Sequence, residues 1–270
     1  MPKIAHISDF HLQSGVPERQ AQVEPILKKI NEMKPDLVVI SGDVTDDGYK
    51  SLDELKWAKD WLDERIEGEW FAVPGNHDVG NFASLGKGVI NHERVQNWHN
   101  VFGANASVTI GRWLLLGLNS MYHGSGLSAQ IDQDAWFASE IKKKKDRHLA
   151  VFLHSPLFVE RILEDDDPNA GYWLGPGNDR RYLWKQFAMW ARVIGSGHVH
   201  QTRLTDADGV KIAWAPPASG TWVHAPGLPN PPMPEKTGFF LHHLHDDGRV
   251  DSELIECAPM LKLYEHNPWP

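Results

Sequence analysis

The chain has 270 residues, 41% of them hydrophobic, enough to bury a sizeable core as one large domain. Its formal charge of −9 argues against partners attracted by charge alone, such as a nucleic-acid polymer or an anionic membrane surface. The single cysteine, Cys257, excludes an internal disulfide framework and a cysteine-rich zinc site, and it suits a reducing compartment.

The N-terminal "MPKIAHISDF" enters a strand-like run directly, with no charged n-region ahead of a long apolar stretch. No segment approaches the ~20 apolar residues of a membrane span, so the expectation is a cytoplasmic protein with no membrane partner. Short apolar runs then recur as strands at 3–8, 36–41, 69–74, 113–119, 149–154 and 191–196. Amphipathic segments at 17–33, from Ser51 onward, at 128–145 and at 179–191 separate most of them as helices. The second of these carries "SLDE", a capping box pairing Ser51 with Glu54. This alternation predicts an α/β layered domain. After residue 208 the pattern becomes hairpin-like, giving C-terminal strands across 209–256, interrupted by the proline-rich "APGLPNPPMPEK" at 225–236. No internal repeat is visible, and residues 1–270 read as a single domain.

Chemistry gathers at the strand ends. The first run ends in "SDFH" with Asp9 and His11, and the second in "GD" with Asp43. The third ends in "GNHD" with Asn76, His77 and Asp78, the fifth in His154, and the sixth in "GHVH" with His198 and His200. Ligand crevices of open α/β sheets lie beyond the carboxyl ends of strands, so these side chains can converge. Asp-x-His and His-x-His spacing would point each pair the same way in an extended chain. One strand-end Asp or His is most often a cap or a hydrogen-bonding residue; five such ends in one chain form a constellation. The donors are oxygen and imidazole nitrogen, a set for manganese, iron, zinc or cobalt rather than calcium. A cation, or two, would explain why "SGDVTDDG" places carboxylates beside an apolar strand.

These blocks, "DFH", "GD", "GNHD", "LHSP" and "GHVH", stand in the order that marks the calcineurin-like metallophosphoesterases, and the sequence resembles that family across residues 9 to 200. Within it, "HISDFHL" and the overall length look most like the class III cyclic nucleotide phosphodiesterases and their glycerophosphodiesterase relatives. The resemblance implies a four-layer α/β/β/α sandwich of two facing mixed sheets flanked by helices. It implies two divalent or mixed-valence transition-metal ions, the first on Asp9, His11 and His200, the second on Asn76, His154 and His198, with Asp43 bridging. His77 would act as acid or transition-state stabiliser, oriented by Asp78. The expected reaction is hydrolysis of a small phosphodiester, with a 3',5'-cyclic nucleotide as first candidate, by a hydroxide generated on the metals. Alternatives on the same site are a phosphomonoesterase, a phosphonate-ester or phosphotriester hydrolase, or a nuclease. A non-catalytic scaffold is disfavoured by the complete ligand set.

Substrate choice would fall to variable segments. Residues 157–190, between His154 and "GHVH", form a candidate substrate-facing insertion carrying Tyr172, Trp173, Arg180 and Arg181, where rings can stack on a base and arginine can grip phosphate. A plain surface loop entering a helix is the competing reading. His123 and Asn119, after the fourth strand, are candidates for the same rim. "HHLH" at 242–245 reads as an ordinary strand face, His6 as a core or supporting histidine, and "KKKK" at 142–145 as a helix C-terminus. Asp46 and Asp47 crowd Asp43 too closely for all three to be ligands; a cap and a supporting role stand level for them. Twelve tryptophans and the 225–236 loop make a homo-oligomer a candidate state.

Overall fold

Two mixed sheets face each other across a shared apolar layer. The structure is a computed structural model, and it describes residues 1–85, 88–159, 171–219 and 236–259. The first sheet has the order β11-β10-β1-β2-β3, from β1 (Lys3–Ile7), β2 (Leu37–Ile40), β3 (Trp70–Ala72), β10 (Lys236–Leu244) and β11 (Val250–Pro259). The second has the order β4-β5-β6-β7-β9-β8, from β4 (Ala106–Ile110), β5 (Trp113–Gly117), β6 (His148–Phe152), β7 (Ala191–Ser196), β8 (Arg203–Ala207) and β9 (Val210–Trp214). The centre of each sheet is parallel, β1-β2-β3 in one and β5-β6-β7-β9 in the other, so several strand C-termini open at one end.

Strands buried on both faces read as unbroken apolar runs. Ile4, Leu37 and Val39 meet Trp113, Leu115, Phe152 and Val193 between the sheets. The opposite face of the first sheet, with Ala5, Ile7, Val38 and Ile40, packs beneath α1 (Pro17–Met33), α2 (Leu52–Asp63) and α4 (His92–Phe102). Leu116, Val151 and Ile194 of the second sheet pack beneath α5 (Ser128–Lys144) and α7 (Gly177–Phe187). Four layers, α/β/β/α, are therefore the observed architecture. The C-terminal strands serve both sheets: β9 extends the second, while β10 and β11 complete the first.

The Ser51 hydroxyl accepts from the Glu54 amide at the start of α2, but the Glu54 carboxylate turns to Ser14 instead of closing the box. Residues 225–235 of the proline-rich stretch and residues 160–170 of the insertion lie outside the described residues. Among the described residues, no helix is long and apolar enough to cross a membrane.

Candidate metal centre

The local backbone at the strand ends departs from the extended geometry that the spacing suggested. Asp9, His11, Asp43, His198 and His200 all have positive φ, between 46° and 70°, and they make up five of the eight non-glycine residues in that region among the described chain. Left-handed backbone is costly for residues with a Cβ and persists where surrounding structure holds it. The pairs converge because each strand turns sharply at its end, a different cause from alternation along a strand. The turns are pinned by chain crossings: the Asp9 amide donates to Gly42 O, His11 to Asp43 O, and the His198 amide to both Asp9 oxygens at 3.1 Å. Two glycines are obligatory here. A Cβ on Gly42 would lie 2.2 Å from His154 Nδ1, and one on Gly75 would lie 2.1 Å from Asp43 Oδ1.

The convergence yields two overlapping groups. Asp9, His11, Asp43 and His200 bring ligand-type atoms within 4.8 Å of one another, and Asp43, His154 and His198 do the same. Asp43 belongs to both. Asn76 joins the second group, with Oδ1 3.2 Å from His154 Nε2. All seven residues are at most 5% exposed. Within the first group His200 Nε2 lies 3.3 Å from Asp9 Oδ1 and 3.0 Å from His11 Nε2. In the second, His154 Nε2 lies 3.3 Å from Asp43 Oδ2, and its Nδ1 donates to Ser41 O at 2.9 Å.

Electrostatics favour a cation here. Burial alone would depress His154, yet the Asp43 charge and hydrogen bond, with help from Asp9, push it up to about 9. Burial opposes ionisation of Asp43, and the surrounding His154, His77 and His11 nevertheless hold it well below the usual carboxylate range. Imidazole protons thus balance carboxylates that water cannot reach. A cation would supply the same balance with oxygen and nitrogen ligands already converging, so the residues fit a pair of transition-metal ions. His198 differs: burial and then the neighbouring His154 lower it to about 3, leaving a neutral ring suited to ligation.

Beside the ligands, His77 lies on the short helix α3 (Asn76–Val79). Its amide donates to Asp43 Oδ1 at 2.9 Å, its Nδ1 to Asp46 O at 2.7 Å, and its ring meets His11 edge-on at 4.6 Å. Asp78, expected to orient His77, gives its carboxylate to the loop. It accepts from the Gly75, Val44 and Thr45 amides and the Thr45 hydroxyl at 2.7 to 3.1 Å, which uses the four acceptor positions of a carboxylate. Asp78 therefore ties the "GNHD" turn to the "GD" turn. What holds the His77 ring is the Asp46 carbonyl; the Asp46 carboxylate, left undecided by sequence, lies 3.2 Å from His11 Nδ1, 2.5 Å from Arg19 Nη1 and 3.8 Å from His77 Nδ1. Arg19, from α1, also donates to His11 O at 2.8 Å. Nothing in the local sequence marks Arg19, because its partner lies 27 positions away and meets it only through the fold.

The substrate candidates divide. Tyr172 and Trp173, on the short helix α6 (Gly171–Leu174), stand at the centre, with rings 5.3 and 5.7 Å from the His198 ring. Arg180 is buried and donates to Gly175 O and Leu157 O, which braces the segment from inside. Arg181 is half-buried and reaches Asn178. His123 is buried with neither ring nitrogen hydrogen-bonded to protein, beside Ser120, Ser155 and Arg180, and burial lowers it to about 4.

Two facing mixed sheets, with a buried carboxylate shared by two ligand groups at their parallel ends, define a dinuclear phosphoesterase architecture. Residues 2–202 match the calcineurin-like phosphoesterase family, and the chain belongs to it. Among curated relatives, the human serine/threonine-protein phosphatase CPPED1 is 31% identical over 136 residues, which cover 48% of this chain and 40% of that protein. The match thus spans well under two thirds of that relative. A probable cyclic nucleotide phosphodiesterase of Ruthia magnifica subsp. Calyptogena magnifica is 21% identical over 269 residues, 93% of this chain and 95% of that one. The crystal structure of a dimetal phosphatase from Danio rerio shares the fold with TM-score 0.59, covering 96% of this chain and all of that one at 13% identity.

Proposed function

We propose that this chain is a binuclear-metal phosphodiesterase that hydrolyses a small phosphodiester, with a 3',5'-cyclic nucleotide as the first candidate. The observation that carries it is the pair of ligand groups sharing Asp43, with His77 against both. Asp9, His11 and His200 would hold one ion, Asn76, His154 and His198 the other, and Asp43 would bridge. When bound, two such cations would supply positive charge for phosphoryl oxygens and lower the pKa of water, the chemistry these residues would hold in place. The chain supplies the rest. His77, fixed through its Nδ1–H to Asp46 O, directs Nε2 as the atom that passes a proton to the departing alkoxide. The Asp46 carboxylate, 3.8 Å away, offsets the positive charge of a doubly protonated ring. Burial of the ligands excludes bulk water, which strengthens each of these contacts.

The near full-length likeness to a probable cyclic nucleotide phosphodiesterase supports a diester substrate, and the acidic chain weighs against a long nucleic acid. A second reading, a phosphomonoesterase, draws on the CPPED1 match over part of each chain. Turnover of one chromogenic aryl diester and one aryl monoester, with added manganese and after chelation, separates the two. Metal-dependent diester hydrolysis is expected. Dominant monoester turnover would transfer the site to the second reading.

A further inference from the structure

The family's motif blocks end at His154 and resume at "GHVH", yet between them the chain sends Tyr172 to the second ligand group. Three contacts converge on it. Its carbonyl accepts from His198 Nε2 at 3.0 Å. Its ring lies 5.3 Å from the His198 ring. Its phenol is hydrogen-bonded to the Asn76 side chain.

Each polar contact settles an ambiguity in a ligand. A carbonyl only accepts, so His198 Nε2 must carry the ring hydrogen, and Nδ1 is left with the lone pair that can bind a cation. An amide side chain presents an oxygen on one side and NH₂ on the other, and only the oxygen ligates. Asn76 Oδ1 faces inward, 3.2 Å from His154 Nε2, which leaves its NH₂ as the group that meets the Tyr172 phenol. An asparagine facing the other way would present hydrogens to an ion.

We infer that Tyr172 is a positioning residue for the second ion, fixing the ligating face of Asn76 through its hydroxyl and the tautomer of His198 through its carbonyl. The inference rests on the proposed dinuclear centre. It makes α6 part of metal assembly, and it leaves the first group to be braced separately by Asp46 and Arg19. The two ions would then respond differently to changes in this segment.

Titration of metal-free protein with manganese, read by calorimetry and by the spin-coupled signal of a paired manganese site, tests it. Wild type should take up two ions in two steps, and Asn76→Ala identifies the step belonging to the second group. Tyr172→Phe keeps ring and carbonyl and removes only the hydroxyl. It should weaken that same step by about 10–100-fold, the cost typical of losing a ligand's hydrogen-bond partner, while the other step changes by less than about twofold. Unchanged binding in both steps would overturn the inference, and so would equal weakening of both, which would make the ring a general prop. A wild type that binds fewer than two ions would remove the dinuclear reading itself, and that result shows in the wild-type titration alone.

Discussion

Two buried histidines within the same sandwich behave oppositely. At the strand ends, His154 is buried beside Asp43 and Asp9 and is pushed up to about 9. Between the sheets, His242 on β10 is equally buried and is driven down to about 3, by burial first and then by Lys211 and His243. Its hydrogen bonds are to Ser252 Oγ at 2.7 Å and His6 Nδ1 at 3.3 Å, and His6 continues to Ser41 Oγ at 2.9 Å. Burial alone makes an imidazole neutral and structural. Adding a carboxylate at about 3.3 Å makes it half of a charge pair that a cation can take over. Residue type does not separate a ligand histidine from a core histidine; the carboxylate beside it does.

The sharpest way to break that contrast is to remove the shared carboxylate. Asp43→Ala should abolish binuclear metal content and reduce hydrolysis to near the detection floor, since both groups lose their common member. Metal analysis of purified protein checks this, and two ions per chain in the variant would contradict the bridging assignment. His77→Ala is the next largest. It should retain both ions and lose about 10²–10⁴-fold in turnover, most clearly on substrates with poor leaving groups. Wild-type turnover on an alkyl ester would remove His77 from proton transfer.

A smaller effect sharpens the role of the residues around the ligands. Asp46→Asn keeps size and removes charge, and Arg19→Ala removes its partner; each should cost about 10–100-fold in metal affinity or turnover. The two should be non-additive, because both act through the Asp46 carboxylate on His11. A double variant whose loss equals the product of the single losses would show that they act independently.

The candidate ligand blocks were legible in sequence because each is local: a ligand-type residue closing an apolar run, with a glycine ahead of it for the close crossing in "GD", "GNHD" and "GHVH". Their backbone was not, since positive φ at Asp9 or His200 depends on distant loops that hold the turn. Arg19 and Tyr172 were invisible as supports for a related reason: each meets its partner through tertiary contact, and an arginine on a helix or a tyrosine in a loop has bland uses. The missed elements share a weak apolar signal. β4 "ASVTI" and β8 "RLTDA" are edge strands with alternating exposure, and only Val95 and Trp98 of α4 are buried. "HHLH" read as a strand face, which holds for residues 242–244 of β10, with His245 paired to Asp251 just beyond the strand, but the inward His242 gave no sign that its neighbour on β1 would be another histidine.

That inward pair carries the smallest prediction, and its sign follows from linkage. His242 is held near 3 in the folded chain, against an ordinary value of about 6.5 when unfolded. Between those values the unfolded chain binds the extra proton, so stability is full above about pH 6.5 and declines as pH falls toward 3. From pH 7 to pH 5 the loss from this residue is about 2 kcal/mol, or roughly 4–8 °C in Tm for a chain of this size. In His242→Leu the absolute Tm should fall, since Ser252 and His6 lose a partner, but the drop in Tm between pH 7 and pH 5 should shrink by about that amount. Melting curves of metal-free protein at the two pH values measure it. An equal pH-dependent drop in both proteins would mean that the carboxylates and histidines of the metal centre, and not the inter-sheet pair, set the acid limit of the fold.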